Sequence, residues 1–332
     1  MPVQTAYIRS VGRFVPERKL TNQDMEKMVD TNDEWIVSRT GIRERHILDK
    51  GLGNSHMATR AARECLERAG VGADELDVII VGTVTPDMFF PSTACLVQKD
   101  LGARNAWGFD LSAGCSGFIF SLTTGAQMIE SGRYKRVLVI GSDVMSSIID
   151  YEDRNTCVLF GDAAGAVLLE ASPEPGYGIL DFIQRIDGAG GEFLHMKAGG
   201  SLRPSTLETV QNKEHYVHQE GRQVFKFAVT EMANVSVRIL EKNGLTGEDV
   251  TLFVPHQANL RIIEASANRM GIDPGKVVIN IDRYANTTAA TIPLCLYESI
   301  VEQKRVKKGD YIVMSAFGAG FTWGSILMRW WE

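Results

Sequence analysis

Cys115, His256 and Asn286 are the residues whose types and surroundings point to chemistry. Cys115 stands in the run DLSAGCSGFI (110–119), five residues beyond a strand-ending aspartate and at the head of the apolar helical run FIFSLTTGAQMI. There a cysteine meets unpaired backbone N–H groups and the positive end of the helix dipole, which is expected to lower its pKa and favour the nucleophilic thiolate. Small neighbours, Ala113, Gly114, Ser116 and Gly117, leave room for a substrate. His256 ends the strand-like TLFVPHQ (251–257), where a side chain leaves a sheet and enters a crevice. Asn286 lies in DRYANTTAATIP (282–293), four residues beyond Asp282. A thiol, an imidazole and an amide suit acyl transfer: the thiolate takes an acyl group, and the histidine and amide stabilise negative charge on a second substrate's carbonyl oxygen. The same three types serve papain-like proteolysis, but no C-G-S-C-W run surrounds Cys115. Cys65, Cys95, Cys157 and Cys295 lie in helix or strand patterns and read as structural.

Short β-branched runs followed by small-residue turns and amphipathic helices would position these side chains. VIIVGTV (78–84), FDLS (109–112), RVLVIGSD (136–143) and VLFGDAAGAVLLE (158–170) recur in order as TLFVPHQ (251–257), VINID (278–282) and YIVMSAFGAG (311–320), with helical segments between. Strands alternating with helices predict mixed or parallel sheets covered on both faces. Val78 precedes Asp110 by 32 positions and Leu252 precedes Asp282 by 30, while the next intervals, to Val137 and Tyr311, are 27 and 29. Agreement within two positions predicts a duplicated α/β chain, with halves at 1–183 and 184–332, and puts Cys115 and Asn286 at equivalent turns. Residues 188–223, rich in Gly, His and polar residues, read as a long surface excursion. Residues 1–54 form another insertion, with a helix capped by Thr21 or Asn22.

Hydrophobic residues at 44% and charged residues at 23% exclude disorder and low complexity, and a formal net charge of −6 excludes a broad polyphosphate-binding surface. Any anionic partner must meet a local basic patch. Apolar runs such as 78–81 are far shorter than a membrane span, and residues 1–13 lack a secretory signal's apolar block. The five cysteines are odd in number and without a C-x-x-C pair, which predicts neither a disulfide framework nor a zinc site and fits a reducing cytoplasm. His215 and His218 lack the companions a metal site needs, and the glycines of FGDAAGA (160–166) read as close packing, not as a phosphate cradle.

Seven runs in order carry a resemblance to the β-ketoacyl-acyl carrier protein synthase III family: DTNDEWIVSRTGIRERHI (30–47), FPSTACLVQ (90–98), SAGCSGF (112–118), FGDAAGA (160–166), VPHQANLRII (254–263), NTTAATIP (286–293) and AFGAGFTWGS (316–325). The resemblance implies a thiolase-like, five-layer αβαβα fold of two duplicated halves, acting as a homodimer with no metal or redox cofactor. It implies a ping-pong reaction in which Cys115 takes a short acyl group from acyl-CoA. Malonyl-acyl carrier protein then loses carbon dioxide, and its enolate attacks the acyl-cysteine. His256 Nε2 and the Asn286 amide would stabilise the enolate oxygen, each on the order of 2.7 to 4 kcal/mol. Backbone N–H groups of Cys115 and Ala319 would form the oxyanion hole for acyl transfer.

Further positions follow from the same resemblance. Trp35 and Arg154 would sandwich the adenine of CoA, with Thr31, Arg39 and Arg261 on its polar groups and phosphates. Gln257, Ala258, Asn259, Leu260 and Arg261 would form the carrier-binding segment, with Lys226 and Arg269 as basic neighbours of an acidic carrier. Phe90 would close the acyl pocket of the partner subunit, and the excursion at 188–223 would help shape the acyl pocket. Ala285, Ala164 and Ala319 depart from glycines found in relatives, so Ala285 in particular must adopt a turn that glycine adopts freely. Two other readings stand beside this one: a side-branch condensing enzyme or acyltransferase of secondary metabolism, and a non-catalytic acyl-CoA binding protein on the same fold.

Overall fold

The computed structural model describes residues 4–332. Its Val-, Ile- and Leu-rich runs form two sheets, since such side chains suit a pleated surface buried on both faces. The first sheet contains β1 (Ala6–Phe14), β2 (Val78–Gly82), β3 (Trp107–Leu111), β4 (Val137–Asp143) and β5 (Ala163–Ala171) in the order β1-β5-β4-β2-β3. Strands β4, β2 and β3 are parallel, and β5 runs antiparallel to its neighbours. The second contains β6 (Gly178–Ile186), β7 (Val250–Pro255), β8 (Tyr311–Gly318) and β9 (Thr322–Arg329) in the order β6-β9-β8-β7, with β7 and β8 parallel. Element by element, β6, β9, β8 and β7 repeat β1, β5, β4 and β2. Strand β6 spans residue 183 and belongs wholly to the second sheet, so the chain passes between sheets in the turn at 172–177.

One expected strand is missing. VINID (278–282) does not form the counterpart of β3: a single bridge joins Val277 to Phe253, and the Val278 N–H donates to Phe253 O at 2.9 Å. Ile279 then faces solvent and the chain turns into a short helix, Ile281–Tyr284, leaving too few residues for a ladder.

The helices α1 (Asp33–Thr40), α2 (Asn54–Ala69), α3 (Thr93–Leu101), α4 (Gly117–Glu130), α5 (Gly221–Lys242), α6 (Leu260–Met270) and α7 (Thr291–Tyr297) complete the layers. Side chains alternate across each strand, so Val137 and Val139 of β4 face α4 and α7 in the middle while Leu138 and Ile140 face α2 outside. On β8, Ile312 and Met314 join the same middle core, and Val313 packs outward against α5 and α6. The result is helix, sheet, helix, sheet, helix. Caps fix where the site-bearing helices begin: Asn32 accepts from Trp35 N at the head of α1, and Asn259 accepts from Arg261 N at the head of α6. Gly41 and Gly271 end those helices in left-handed conformations. Among the described residues no helix is long and apolar enough to cross a membrane.

Candidate active site

Cys115, His256 and Asn286 line one cavity of about 960 Å³ at the seam between the two sheets, together with Gly318 and Ala319. Cys115 sits in a single 3-10 turn, Gly114–Ser116, that leads directly into α4. The turn is pressed against the end of β8. A Cβ on Gly318 would lie 2.4 Å from Cys115 N, and one on Gly114, whose φ is +55°, would lie 2.8 Å from Ala319 N. Only glycine permits that approach, and it brings the Cys115 and Ala319 amides side by side. The Ala319 N–H has no hydrogen-bond partner among the described residues.

The electrostatics of Cys115 differ from the expectation. Burial in the pocket pushes its thiol up to about 12, and the nearby Asp143 carboxylate adds to the rise; its own amide and the Asn286 side chain oppose it. Desolvation therefore prevails over the roughly 0.3–2 kcal/mol that a helix N-terminus contributes, and the resting group is a thiol.

His256 continues β7, its N–H donating to Ser315 O at 2.8 Å. Its Nδ1 pairs with Thr291 Oγ1 at 2.7 Å, while Nε2 is buried without a partner among the described residues. Burial lowers its pKa to about 3, so the imidazole is neutral at physiological pH. Asn286 is held through its backbone by the Phe160 segment: its N–H donates to Leu159 O at 3.0 Å and its carbonyl accepts from Gly161 N at 3.1 Å. The amide Oδ1 accepts from Thr288 N at 2.9 Å, which leaves Nδ2 as the donor beside the Cys115 sulfur. The tight packing at Gly161, where a Cβ would meet Tyr284 O at 2.8 Å, agrees with reading FGDAAGA as a packing run.

The departures from glycine fall out unequally. Ala285 has φ +57° and ψ −156°, a conformation that costs a non-glycine residue about 1–3 kcal/mol, whereas Ala164 and Ala319 have ordinary negative φ.

Of the other expected positions, Trp35, Arg39, Ala258, Asn259 and Arg261 line the cavity mouth, and Thr31, Arg154, Phe90, Leu260, Lys226 and Arg269 do not. The Arg154 guanidinium lies over the Trp35 ring at 4.9 Å. A flat base between two faces needs about 7 Å, twice a van der Waals separation, so the pair must part to admit one. Thr31 Oγ1 is buried and unpartnered, and Arg261 stacks over Phe225 at 4.8 Å. Lys226 and Arg269 are exposed, Arg269 on a separate groove beside Arg238 and Trp323. Phe90 is 86% exposed.

Gln257 requires a correction. It is fully buried, donating to Pro255 O and Val278 O and accepting from the N–H groups of Asn280 and Ile281. With those bonds made it fastens the turn after His256 and has no surface for a carrier.

Several site residues escaped the sequence reading. Leu194, Met196 and Val217, on a two-stranded ribbon within 188–223, wall the cavity with Val224, Ala228 and Met232 of α5. The 188–223 excursion thus folds inward. Thr288, Thr291 and Asp143, which hold Asn286 and His256, carry no motif beyond lying near them. Among the described residues no group of three His, Cys, Asp or Glu side chains is arranged to hold a metal.

Two family models match, 3-oxoacyl-[acyl-carrier-protein (ACP)] synthase III over residues 109–188 and its C-terminal counterpart over residues 240–330. The chain is 56% identical to a β-ketoacyl-[acyl-carrier-protein] synthase III of Koribacter versatilis over 329 residues, covering 99% of this chain and 98% of the relative. It is 58% identical to one of Solibacter usitatus over 327 residues, covering 98% of each. Among solved structures, 3-oxoacyl-[acyl-carrier-protein] synthase III of Aquifex aeolicus superimposes with a TM-score of 0.90 at 45% identity, over 98% of this chain and 100% of that one. The priming β-ketosynthase of the R1128 polyketide pathway superimposes at 0.91 with 34% identity, over 100% and 98%.

Proposed function

The chain belongs to the 3-oxoacyl-[acyl-carrier-protein] synthase III family, and from that premise we propose that Cys115, His256 and Asn286 carry out an initiating decarboxylative condensation. The observation that carries this reading is the convergence of the three side chains on one seam cavity, with an unpartnered His256 Nε2 and an Asn286 Nδ2 freed by capture of its Oδ1.

Cys115 Sγ attacks the thioester carbonyl of a short acyl-CoA, the oxyanion resting on the N–H groups of Cys115 and Ala319. The C–S bond to CoA breaks, the proton of the Cys115 thiol passes to the departing sulfur so that CoA leaves as its thiol, and the acyl group stays on Cys115. Malonyl-acyl carrier protein enters, its carboxylate departs as carbon dioxide, and the enolate oxygen accepts hydrogen bonds from His256 Nε2 and Asn286 Nδ2. The enolate carbon then attacks the acyl-cysteine, the C–S bond breaks to give β-ketoacyl-carrier protein, and the departing Cys115 thiolate takes a proton from solvent to restore the thiol. A neutral His256 suits the donor role, since an imidazolium could surrender its proton to the enolate. The apolar wall of Leu194, Met196, Val224 and Met232 gives the acyl chain its pocket.

Trp35, Arg39 and Arg261 along the cavity, with Arg154 over the Trp35 ring and Thr31 four residues before Trp35, suit the nucleotide of CoA. Ala258, Asn259, Leu260 and Arg261 with exposed Lys226 and Arg269 suit an acidic carrier protein, which answers the chain's net negative charge. The exposed Phe90 suits burial against a second copy in a homodimer, and five unpaired cysteines suit the cytoplasm.

Peptide mass after mixing the protein with acetyl-CoA tests the reading, with longer acyl-CoAs and Cys115→Ala alongside, followed by malonyl-acyl carrier protein. One acyl group on the Cys115 peptide, discharged into a ketoacyl-carrier product, is expected. Loading without discharge would favour a side-branch enzyme, and no loading by any acyl-CoA would remove the catalytic assignment.

A further inference from the structure

One fully buried carboxylate has no part in the chemistry above. Asp143 ends β4 and forms no ion pair among the described residues, yet six donors converge on it. Its Oδ1 accepts from Thr83 Oγ1 at 2.9 Å, Val84 N at 2.8 Å, Thr85 N at 3.2 Å and Thr85 Oγ1 at 2.9 Å. Its Oδ2 accepts from the Thr288 hydroxyl and from Ala289 N at 3.2 Å. The hydroxyl protons have no other use in this network: Thr83 Oγ1 accepts from Asn54 Nδ2, and Thr85 Oγ1 accepts from Val144 N. A protonated acid would turn an O–H toward donors, so only a carboxylate satisfies all six.

The second oxygen leads to the active site. Thr288 has φ +50°, a left-handed backbone that a β-branched residue avoids. In that conformation its N–H reaches Asn286 Oδ1 at 2.9 Å, and its carbonyl lies 3.1 Å from Thr291 Oγ1, the partner of His256. A strained residue persists only where its surroundings hold it, and the surroundings that hold Thr288 by its side chain are Asp143.

We propose that Asp143, acting through Thr288, is the positioning residue that aims the Asn286 amide at the reacting atoms, an inference that rests on the role given above to Asn286. The carboxylate draws the Thr288 hydroxyl inward, the backbone flips to positive φ, and its N–H captures Oδ1. Nδ2 is thereby fixed toward the cavity before any substrate arrives. Asparagine cannot replace Asp143 here, because its amide NH2 would have to face the two donors that Oδ2 now accepts.

Asp143→Asn, Asn286→Ala and the double variant are compared in two assays, acetyl loading of Cys115 by mass and carbon dioxide release from malonyl-acyl carrier protein. The expected result is that Asp143→Asn loads within about 3-fold of the parent but releases carbon dioxide roughly 10- to 100-fold more slowly, less than the ~10²–10³-fold of a deleted donor. The double variant is expected to match Asn286→Ala alone, since the two changes act through one amide. Equal loss in both assays, or multiplied losses in the double variant, would overturn the proposal and leave Asp143 a structural residue. Full carbon dioxide release by Asn286→Ala would instead remove the role of Asn286 and the inference with it. Should Asp143→Asn fail to fold, Thr288→Ala takes its place, with loss of decarboxylation expected and rescue by Thr288→Ser; failure of the serine variant to rescue would count against the mechanism.

Discussion

His256 is a titratable side chain kept neutral by burial, and that has a measurable effect on stability. Its pKa falls from 6.5 to about 3 in the folded protein. The unfolded chain therefore binds a proton that the folded protein refuses throughout the interval between those values. With the folded value below the unfolded one, the stability contribution is complete above pH 6.5 and is lost as pH falls toward 3. At one proton the slope is about 1.4 kcal/mol per pH unit, so the loss between pH 7 and pH 5 is about 1.9 kcal/mol. Other carboxylates titrate too, and a His256→Gln variant isolates the one group, because glutamine does not ionise and can still bond the Thr291 hydroxyl. Urea unfolding of both proteins at pH 7, 6 and 5, at one protein concentration, should show the parent losing about 1.9 kcal/mol more than the variant. Decarboxylation in the parent should show no inflection near 6.5. Parallel stability profiles would refute the reasoning, since they would mean that His256 accepts its proton in the folded state.

Three further outcomes follow from the same geometry. Alkylation of Cys115 by iodoacetamide should rise about tenfold per pH unit from 7 to 10 without a plateau, as the thiol titrates near 12; levelling at or below pH 8 would show a preformed thiolate. Trp35→Ala should raise the acyl-CoA KM about 10-fold with kcat little changed, as expected for a stacking face that binds ground and transition states alike; a fall in kcat at constant KM would place Trp35 elsewhere in the mechanism. Ala285→Gly should retain activity and change stability by between a loss of about 1 and a gain of about 2 kcal/mol in urea unfolding, since relief of about 1–3 kcal/mol of strain offsets the ~0.8 kcal/mol of a buried methyl and about 0.4–1 kcal/mol of unfolded-chain entropy; a loss beyond about 1 kcal/mol would show the turn to be unstrained.

Much of the fold is legible because strand-to-helix junctions leave local signatures. A β-branched run followed by small residues marks the end of a strand, which locates Cys115 and His256, while the repeated spacing places Asn286 although no strand precedes it. VINID misleads because its β-branched residues satisfy propensity while tertiary context gives them only one bridge. Gln257 misleads in another way: a polar residue among surface-binding neighbours looks exposed, and nothing local reveals that four backbone groups surround it. The pKa of Cys115 was legible in sign only for the helix end; desolvation depends on the walls of a pocket built largely from 188–223 and α5, far away in sequence.

The two halves do more than place three side chains near one another, because each grips the turn that the other contributes. Strand β8 of the second half ends in Gly318 and Ala319, which press on the Cys115 turn of the first. Strand β4 of the first half ends in Asp143, which holds Thr288 and Ala289 just beyond Asn286 of the second. These strand ends occupy equivalent places in the two sheets, so the exchange is reciprocal across the pseudo-twofold. The chemistry at the two contacts is nevertheless opposite. Glycine at the β8 end lets the backbone press against the Cys115 amide, the donor given to the oxyanion in the proposed mechanism. Aspartate at the β4 end accepts hydrogen bonds and stiffens the turn that bears the amide donor. A duplicated scaffold supplies two similar strand ends, of which one, with glycine, packs on the Cys115 turn and the other, with aspartate, holds the turn beyond Asn286. Separating the halves would accordingly disable both half-reactions, since neither half contains the partner that shapes its own turn.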